Sequence, residues 1–227
     1  MGFRFAAIAA LIASSAFIQP AQANLVTNGS FEATSLTSKG YFSGHVTGWS
    51  GGTNLTFLDY PGTADDGSYL SVYRGFPSVS PDGGKFVEAD GAPSYSSAIY
   101  QTISGLTIGK SYLLTFFQGA GQQAGFTGPT TERWQVSFGN TTQLSTLFSL
   151  PQGATGPWQQ QTMTFVANAT SQVLSFLAVG TPNGAPPISF LDGVNLDATA
   201  VPEPASLSLL GLGALGVMAL RRRKARA

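Results

Sequence analysis

Hydrophobic residues between positions 24 and 198 come in short runs that often alternate with polar residues, and clusters of Gly, Pro, Asn and Asp separate the runs. Within 133–138, three apolar side chains alternate with three polar ones, which places the two sets on opposite faces of a strand. No stretch keeps the 3.6-residue period of a helix. The predicted strands are 42–49, 54–58, 69–72, 85–89, 97–103, 111–118, 133–138, 142–148, 158–166, 173–179 and 188–197. This spacing predicts an all-β fold, a jelly-roll β-sandwich over residues 24–198, with the glycine-rich stretches 119–128 and 180–187 as loops.

The first 23 residues have the layout of an export signal. Arg4 gives the positive start, residues 5–18 form an apolar stretch, and Ala21-Gln22-Ala23 is a small-x-small cleavage site. We therefore predict a signal peptide over residues 1–23 and an exported domain that begins at Asn24.

The last part of the chain has the layout of a membrane anchor. Residues 199–204 form a linker, and residues 205–220, which carry no charge, predict a single transmembrane helix. Such a helix is about 24 Å long, short of the roughly 30 Å hydrocarbon core, a difference that snorkelling and local thinning can cover. The basic residues in 221–227 predict a cytoplasmic tail.

The Pro202-Glu203-Pro204 triplet, the short glycine-spaced apolar span and the terminal Arg cluster together resemble the PEP-CTERM sorting signal of Gram-negative bacteria. The resemblance implies recognition and cleavage by an exosortase. It also implies transfer from a transient membrane anchor to the cell surface or extracellular matrix. An ordinary anchor helix that is never cut would have the same hydropathy.

The charge of the exported domain differs from the formal net charge of zero for the whole chain. Outside the two terminal segments, 5 basic side chains remain against 10 acidic ones, a net charge of −5. That balance argues against nucleic acid as a partner. The chain has no cysteine, so the exported domain cannot rely on disulfides.

A second resemblance runs through most of the exported domain. Its motifs are similar to the framework of galactose-binding-like jelly rolls, a superfamily that includes carbohydrate-binding modules. They are 24–32, which contains the turn Asn28-Gly29 before Phe31, then 48–49, 84–88, 99–106, 109–112, Phe116 and 190–196. The resemblance implies the fold more strongly than a ligand.

Carbohydrate recognition needs an aromatic platform and planar polar groups that bond neighbouring hydroxyls. The predicted polar residues are Arg133 and Gln135, with Gln101 and Gln118 on nearby strands. The predicted platform residues, all in loops, are Tyr60, Tyr95 and Phe126. The alternative is a solvated sheet face with rings packed on their own loops. An exposed aromatic beside Arg133 and Gln135 would favour sugar, and an aliphatic or covered face would favour a structural protein.

One structural Ca²⁺ is implied by the second resemblance, because such jelly rolls often hold an ion between the first and last strands through oxygen ligands. Glu32 and Asp192 are the matching acidic positions. The alternative is that Glu32 bonds backbone donors. Asp59, Asp65 and Asp66 form a weaker candidate, since Asp-Gly clusters are commonly turns.

The sequence gives little support for catalysis. Its single histidine, His45, has no recognisable nucleophile motif. Glu88 and Asp90 lie on one face of a strand, roughly 6.6 Å apart, but a turn follows them and no aromatic cleft is evident. The leading hypothesis is a surface or matrix protein whose sandwich binds exopolysaccharide, and the rival is a structural or adhesive protein without a sugar site.

Overall fold

The computed structural model describes residues 24–199, and all regular secondary structure within them is β. The predicted signal peptide, Pro202-Glu203-Pro204, the anchor helix and the basic tail lie outside this part. Among the described residues, no helix is long and apolar enough to span a bilayer. The strands are β1 Gly40–Tyr41, β2 Ser50–Gly51, β3 Thr56–Asp59, β4 Phe86–Asp90, β5 Ile99–Ser104, β6 Ser111–Gln122, β7 Thr130–Phe138, β8 Thr141–Leu144, β9 Phe148–Leu150, β10 Thr155–Val166, β11 Ser171–Thr181 and β12 Pro187–Ala198.

The strands form two antiparallel sheets that face each other. The first sheet has the order β1-β3-β4-β12-β6-β10, and the second has the order β2-β5-β11-β7-β8, with β9 also paired to β7. From β4 onward the chain passes repeatedly between the sheets, so that β4, β6, β10 and β12 lie in the first and β5, β7, β8 and β11 in the second. This is the jelly-roll arrangement predicted from the strand spacing.

Aromatic residues dominate the core between the sheets. Phe176 contacts the rings of Trp49, Phe116 and Trp134 at centroid distances of 6.2, 5.2 and 6.2 Å. The Trp134 indole N–H donates to the Phe190 carbonyl at 2.9 Å, so this buried polar group is satisfied. The alternation in β7 therefore places its apolar side chains inward, as predicted.

A long segment between β3 and β4, residues 60–85, covers part of the outer face of the first sheet; we call it the cover segment. Phe76 lies over Gly119 and Val72 over Gly121, so close that a Cβ on either glycine would come within 2.8 Å of the covering side chain. The result is a second buried cluster outside the sandwich: Phe57, Ala64, Leu70, Val72, Phe76, Phe86, Ile188 and Phe190. The glycines thus let the cover segment pack directly on β6.

Several predicted boundaries were wrong. The stretch 42–49 is a series of turns between β1 and β2, and 69–72 belongs to the cover segment, where only Val72 makes an isolated bridge, to Gln123. The stretch 142–148 is divided between β8 and β9. Residues 119–122, predicted as loop, complete β6 because the cover segment buries their glycines and compensates for their weak strand propensity.

Candidate functional site

The structure separates the four predicted polar residues. Arg133 and Gln135 lie on the outer face of the second sheet and are half-buried, as are Thr131 and Ser137 beside them on the strand. Gln101 faces inward on β5, where its side chain accepts from the Thr27 N–H at 2.9 Å and donates to the Thr27 carbonyl at 3.2 Å. Gln118 is fully buried and donates to the Thr146 carbonyl at 2.9 Å. The prediction that these two glutamines join Arg133 was wrong, because strand alternation turns them inward, where they satisfy backbone groups.

Aliphatic side chains surround Arg133 and Gln135 on that face. Register places Val179 opposite Arg133 and Leu177 opposite Gln135, and Leu144 lies on the other side of Gln135. The aromatic residue that faces outward on this sheet is Tyr100, which is paired with Ser175, two strands away from β7. By the criterion set from the sequence, no aromatic of the described residues lies beside Arg133, so this face cannot bind a sugar by ring stacking.

The three predicted platform rings lie apart. The Tyr60 hydroxyl donates to the Leu36 carbonyl at 2.6 Å, and the Lys85 ammonium lies 5.1 Å from its ring centroid, so this ring is already occupied. Tyr95, 44% exposed, lies in the turn between β4 and β5, and Phe126, 38% exposed, lies in the loop between β6 and β7. No ring contact within residues 24–199 joins these three residues to one another.

A different aromatic group, missed from the sequence, lies on the outer face of the first sheet. Tyr41 on β1 packs on Phe57 at a centroid distance of 4.4 Å, and Tyr69 of the cover segment packs on the same ring at 5.5 Å. Phe57 is buried, whereas Tyr41 is 53% and Tyr69 60% exposed. Phe57 thus supports two exposed tyrosines. Strand spacing gave no signal for this group, because it depends on how the cover segment folds back.

A buried ion cluster lies beside this aromatic group, since register pairs Glu88 of the cluster with Phe57. The Lys39 ammonium is 3.0 Å from Asp59 Oδ1 and 2.5 Å from Glu88 Oε2, and it donates to the Thr63 carbonyl at 3.3 Å. Burial lowers the pKa of Lys39, but the two carboxylates outweigh this and raise it above its usual value. Burial raises the pKa of Asp59 to about 6 and, with Asp59 beside it, raises the pKa of Glu88 well above its usual range. The cluster ties the cover segment to β3 and β4.

Glu32 and Asp192, the predicted calcium ligands, have protein partners in the structure. Glu32 accepts from the Lys85 N–H at 2.5 Å and pairs with the Lys85 ammonium at 2.7 Å, which agrees with the alternative reading of Glu32. Asp192 is fully buried and accepts from the Ser80 hydroxyl and from the Gly193 N–H. Burial raises the pKa of Asp192 to about 8, and the charges of Asp82 and Glu32 add to this rise.

The weaker acidic candidates and the residues considered for catalysis have structural partners as well. Asp65 and Asp66 accept backbone N–H bonds within the cover segment. The exposed His45 ring contacts the Ser35 hydroxyl at 2.8 Å. Glu88 is enclosed with Lys39, and Asp90, also buried, accepts from the Ala92 N–H at 2.7 Å. The proposed acid pair of β4 is therefore closed off from solvent.

A comparison with protein families supports the sorting signal that the sequence predicts at the end of the chain. Residues 200–224 match the PEP-CTERM protein-sorting motif, which confirms the sorting signal predicted around Pro202, Glu203 and Pro204. None of the curated proteins compared with the chain matches it.

Several solved structures are similar to this chain at low identity. TmCBM61 in complex with β-1,4-galactotriose is similar over 78% of this chain and 99% of its own, with 14% identity and a TM-score of 0.44. The CBM22-1 xylan-binding domain of Xyn10C from Paenibacillus barcinonensis is similar over 80% and 97%, with 10% identity and a TM-score of 0.40. The K1 cleaved adhesin domain of Lys-gingipain from Porphyromonas gingivalis W83 is similar over 71% and 98%, with 14% identity and a TM-score of 0.41. At these values the likeness carries no ligand over to this chain.

Proposed function

We propose that this chain is an exported, exosortase-processed protein of the cell surface or extracellular matrix whose sandwich binds carbohydrate without catalysis. The observation that carries the binding role is the pair of exposed tyrosines, Tyr41 and Tyr69, held by the buried Phe57. The sorting motif at 200–224 supports the destination.

The tyrosine pair has the properties that sugar stacking requires. An aromatic ring offers its face to the C–H groups of a pyranose, and a tyrosine hydroxyl can bond a sugar hydroxyl at the ring edge. Both rings rest on Phe57, so little side-chain freedom is lost when a ligand binds. The Lys39–Asp59–Glu88 cluster holds the neighbouring backbone in place.

The test is affinity electrophoresis of the purified protein through gels that contain neutral polysaccharides and the producer's own exopolysaccharide. Tyr41→Ala and Tyr69→Ala should each weaken retention by about tenfold, since each removes one stacking contact. Tyr95→Ala, which removes a comparably exposed ring elsewhere, is the matched control and should bind like the parent. Retention that survives in the Tyr41→Ala/Tyr69→Ala double variant contradicts this site.

We also propose one calcium ion at Glu32 and Asp192, with Asp82 close by. The donors are oxygen atoms, as calcium prefers, and the negative charge gathered around Asp192 favours a cation. Against this, no group of three or more potential metal-ligating side chains is found among residues 24–199. Calcium should raise the unfolding temperature of the parent protein and leave that of Asp192→Asn unchanged. An equal response of the two proteins contradicts the site.

The rival function, a structural or adhesive protein without a sugar site, is favoured by the aliphatic surroundings of Arg133. In that case the purified protein is retained by none of the polysaccharides. The tyrosine variants then migrate like the parent in every gel.

A further inference from the structure

The outer face of the second sheet is a second surface that the tyrosine site does not use. We call the outward side chains of Arg133, Gln135, Ser137, Leu144, Leu177 and Val179 the Arg133 face. Across β5, β7, β8 and β11 no acidic side chain of the described residues points outward, because Glu132 faces the core. On a domain with a net charge of −5, this face carries only the charge of Arg133.

The two planar polar side chains of this face, Arg133 and Gln135, have no side-chain partner within residues 24–199. Arg133 takes part in none of the ion pairs there, and neither Arg133 nor Gln135 makes a side-chain hydrogen bond. The nearby hydroxyls are instead bonded in pairs, such as Ser137 with Thr142 at 2.8 Å. A guanidinium fork and an amide without protein partners among the described residues therefore stand on one strand, on residues whose Cα atoms are roughly 7 Å apart.

From this arrangement we propose that the Arg133 face binds a carboxylate-bearing polysaccharide, with the Arg133 guanidinium holding a sugar carboxylate. A planar fork matches a carboxylate with two parallel hydrogen bonds. Gln135 donates to and accepts from hydroxyls of the adjoining sugar, and Val179 and Leu177 contact its C–H groups. The site is separate from the tyrosine pair and does not depend on it.

Two other occupants fit this face less well. A second copy packed symmetrically would bring two Arg133 side chains into one interface that contains no acid on either side. Protein interfaces have cores enriched in aromatic residues, whereas Tyr100, the one outward aromatic among the described residues of β5, β7, β8 and β11, lies two strands from β7. The charge of the face and its hydroxyl and amide groups favour an acidic glycan.

The experiment compares polygalacturonate with the same polymer after reduction of its carboxylates to hydroxymethyl groups. The full-length protein is assayed in mild detergent by affinity electrophoresis. The variants are Arg133→Ala, Arg133→Lys and, as a matched loss of an exposed cation elsewhere, Arg74→Ala. Unfolding temperatures are compared first, and Arg133→Ala should match the parent because its side chain has no polar partner in the described fold.

We expect the parent to bind polygalacturonate and to lose that binding as salt is raised. Arg133→Ala should weaken it at least about tenfold, since a hydrogen-bonded charge pair is lost. Arg133→Lys should recover only part of the affinity because lysine lacks the fork. Binding of the carboxyl-reduced polymer, which would use the tyrosine pair, should be the same in Arg133→Ala and the parent.

Several results would overturn the proposal. They are no retention of the parent by polygalacturonate, equal losses of binding in Arg133→Ala and Arg74→Ala, or an equal effect of Arg133→Ala on the charged and reduced polymers. A change in oligomeric state, without a change in glycan binding, would assign the face to self-association instead. A failure confined to Tyr41→Ala and Tyr69→Ala would refute the tyrosine site and leave this proposal standing.

Discussion

Glu132 is a fully buried carboxyl group inside the sandwich, and it should make the stability of the protein depend on pH. Neither of its carboxylate oxygens has a hydrogen-bond partner among the described residues. Burial raises the pKa of Glu132 from 4.5 to about 8. At neutral pH the folded protein therefore holds a proton on Glu132 that the unfolded chain releases.

The effect on stability follows from this difference in proton binding. A raised folded-state pKa contributes stability that is fully present below pH 4.5 and is lost as the pH rises toward 8. Each pH unit in this window costs about 1.4 kcal/mol. Between pH 4.5 and pH 7, Glu132 alone therefore lowers the free energy of unfolding by about 3 kcal/mol.

Glu132→Gln removes this dependence, since glutamine stays neutral at every pH. Near pH 4.5 the variant and the parent should differ by no more than about 1 kcal/mol, because both side chains are neutral in the folded protein and Glu132 is only partly ionised in the unfolded chain. The free energy of unfolding of the variant minus that of the parent should be about 3 kcal/mol larger at pH 7 than at pH 4.5. Urea unfolding at several pH values, monitored by tryptophan fluorescence, measures this difference. The contributions of the other buried acids are the same in both proteins and cancel. A difference that stays flat from pH 4.5 to pH 8 refutes the reasoning.

Two further predictions concern the cover segment. Lys39→Met leaves Asp59 and Glu88 without their cation and should lower the free energy of unfolding by about 3–5 kcal/mol at pH 7. Urea unfolding should show that this loss of stability becomes smaller in acid, because the carboxylates protonate. A loss that grows in acid would contradict the prediction. Gly119→Ala places a Cβ 2.8 Å from the Phe76 ring and should lower stability by about 1–3 kcal/mol, which thermal unfolding measures. Gly119→Ala combined with Phe76→Leu should lose less than the sum of the two single changes, and strict additivity would mean that the two residues are not in contact.

The fold was predictable because its core strands carry a strong local signal. In β7 the alternation of Trp134 and Val136 with Arg133 and Gln135 fixes which face is buried. The turn at Asn28 was also predictable: Asn28 has a φ of 53°, and Phe31, three residues further on, is fully buried. Such features depend on neighbours in the sequence.

The candidate site was less predictable because it depends on residues far apart in the sequence. Glutamine is a residue type that sugar sites use, which made Gln101 and Gln118 candidates. The sequence did not show that both side chains lie on the inward face of their strands. Tyr41 and Tyr69 come together only through Phe57 and the path of the cover segment. The short strand β1, two residues long, gives no periodic signal from which that pairing could be read.

The two outer faces of the sandwich differ in a way that bears on both proposed functions. The cover segment buries part of the outer face of the first sheet and leaves two tyrosines exposed there. On the second sheet, no acidic side chain of the described residues points outward from β5, β7, β8 or β11. Because the faces belong to opposite sheets, one molecule with both sites could hold two polysaccharide chains at once. Weak binding at each site would then suffice, since attachment at one raises the effective concentration at the other. In such a molecule glycan binding and a structural role in the matrix are the same activity, so the two hypotheses raised by the sequence need not be alternatives.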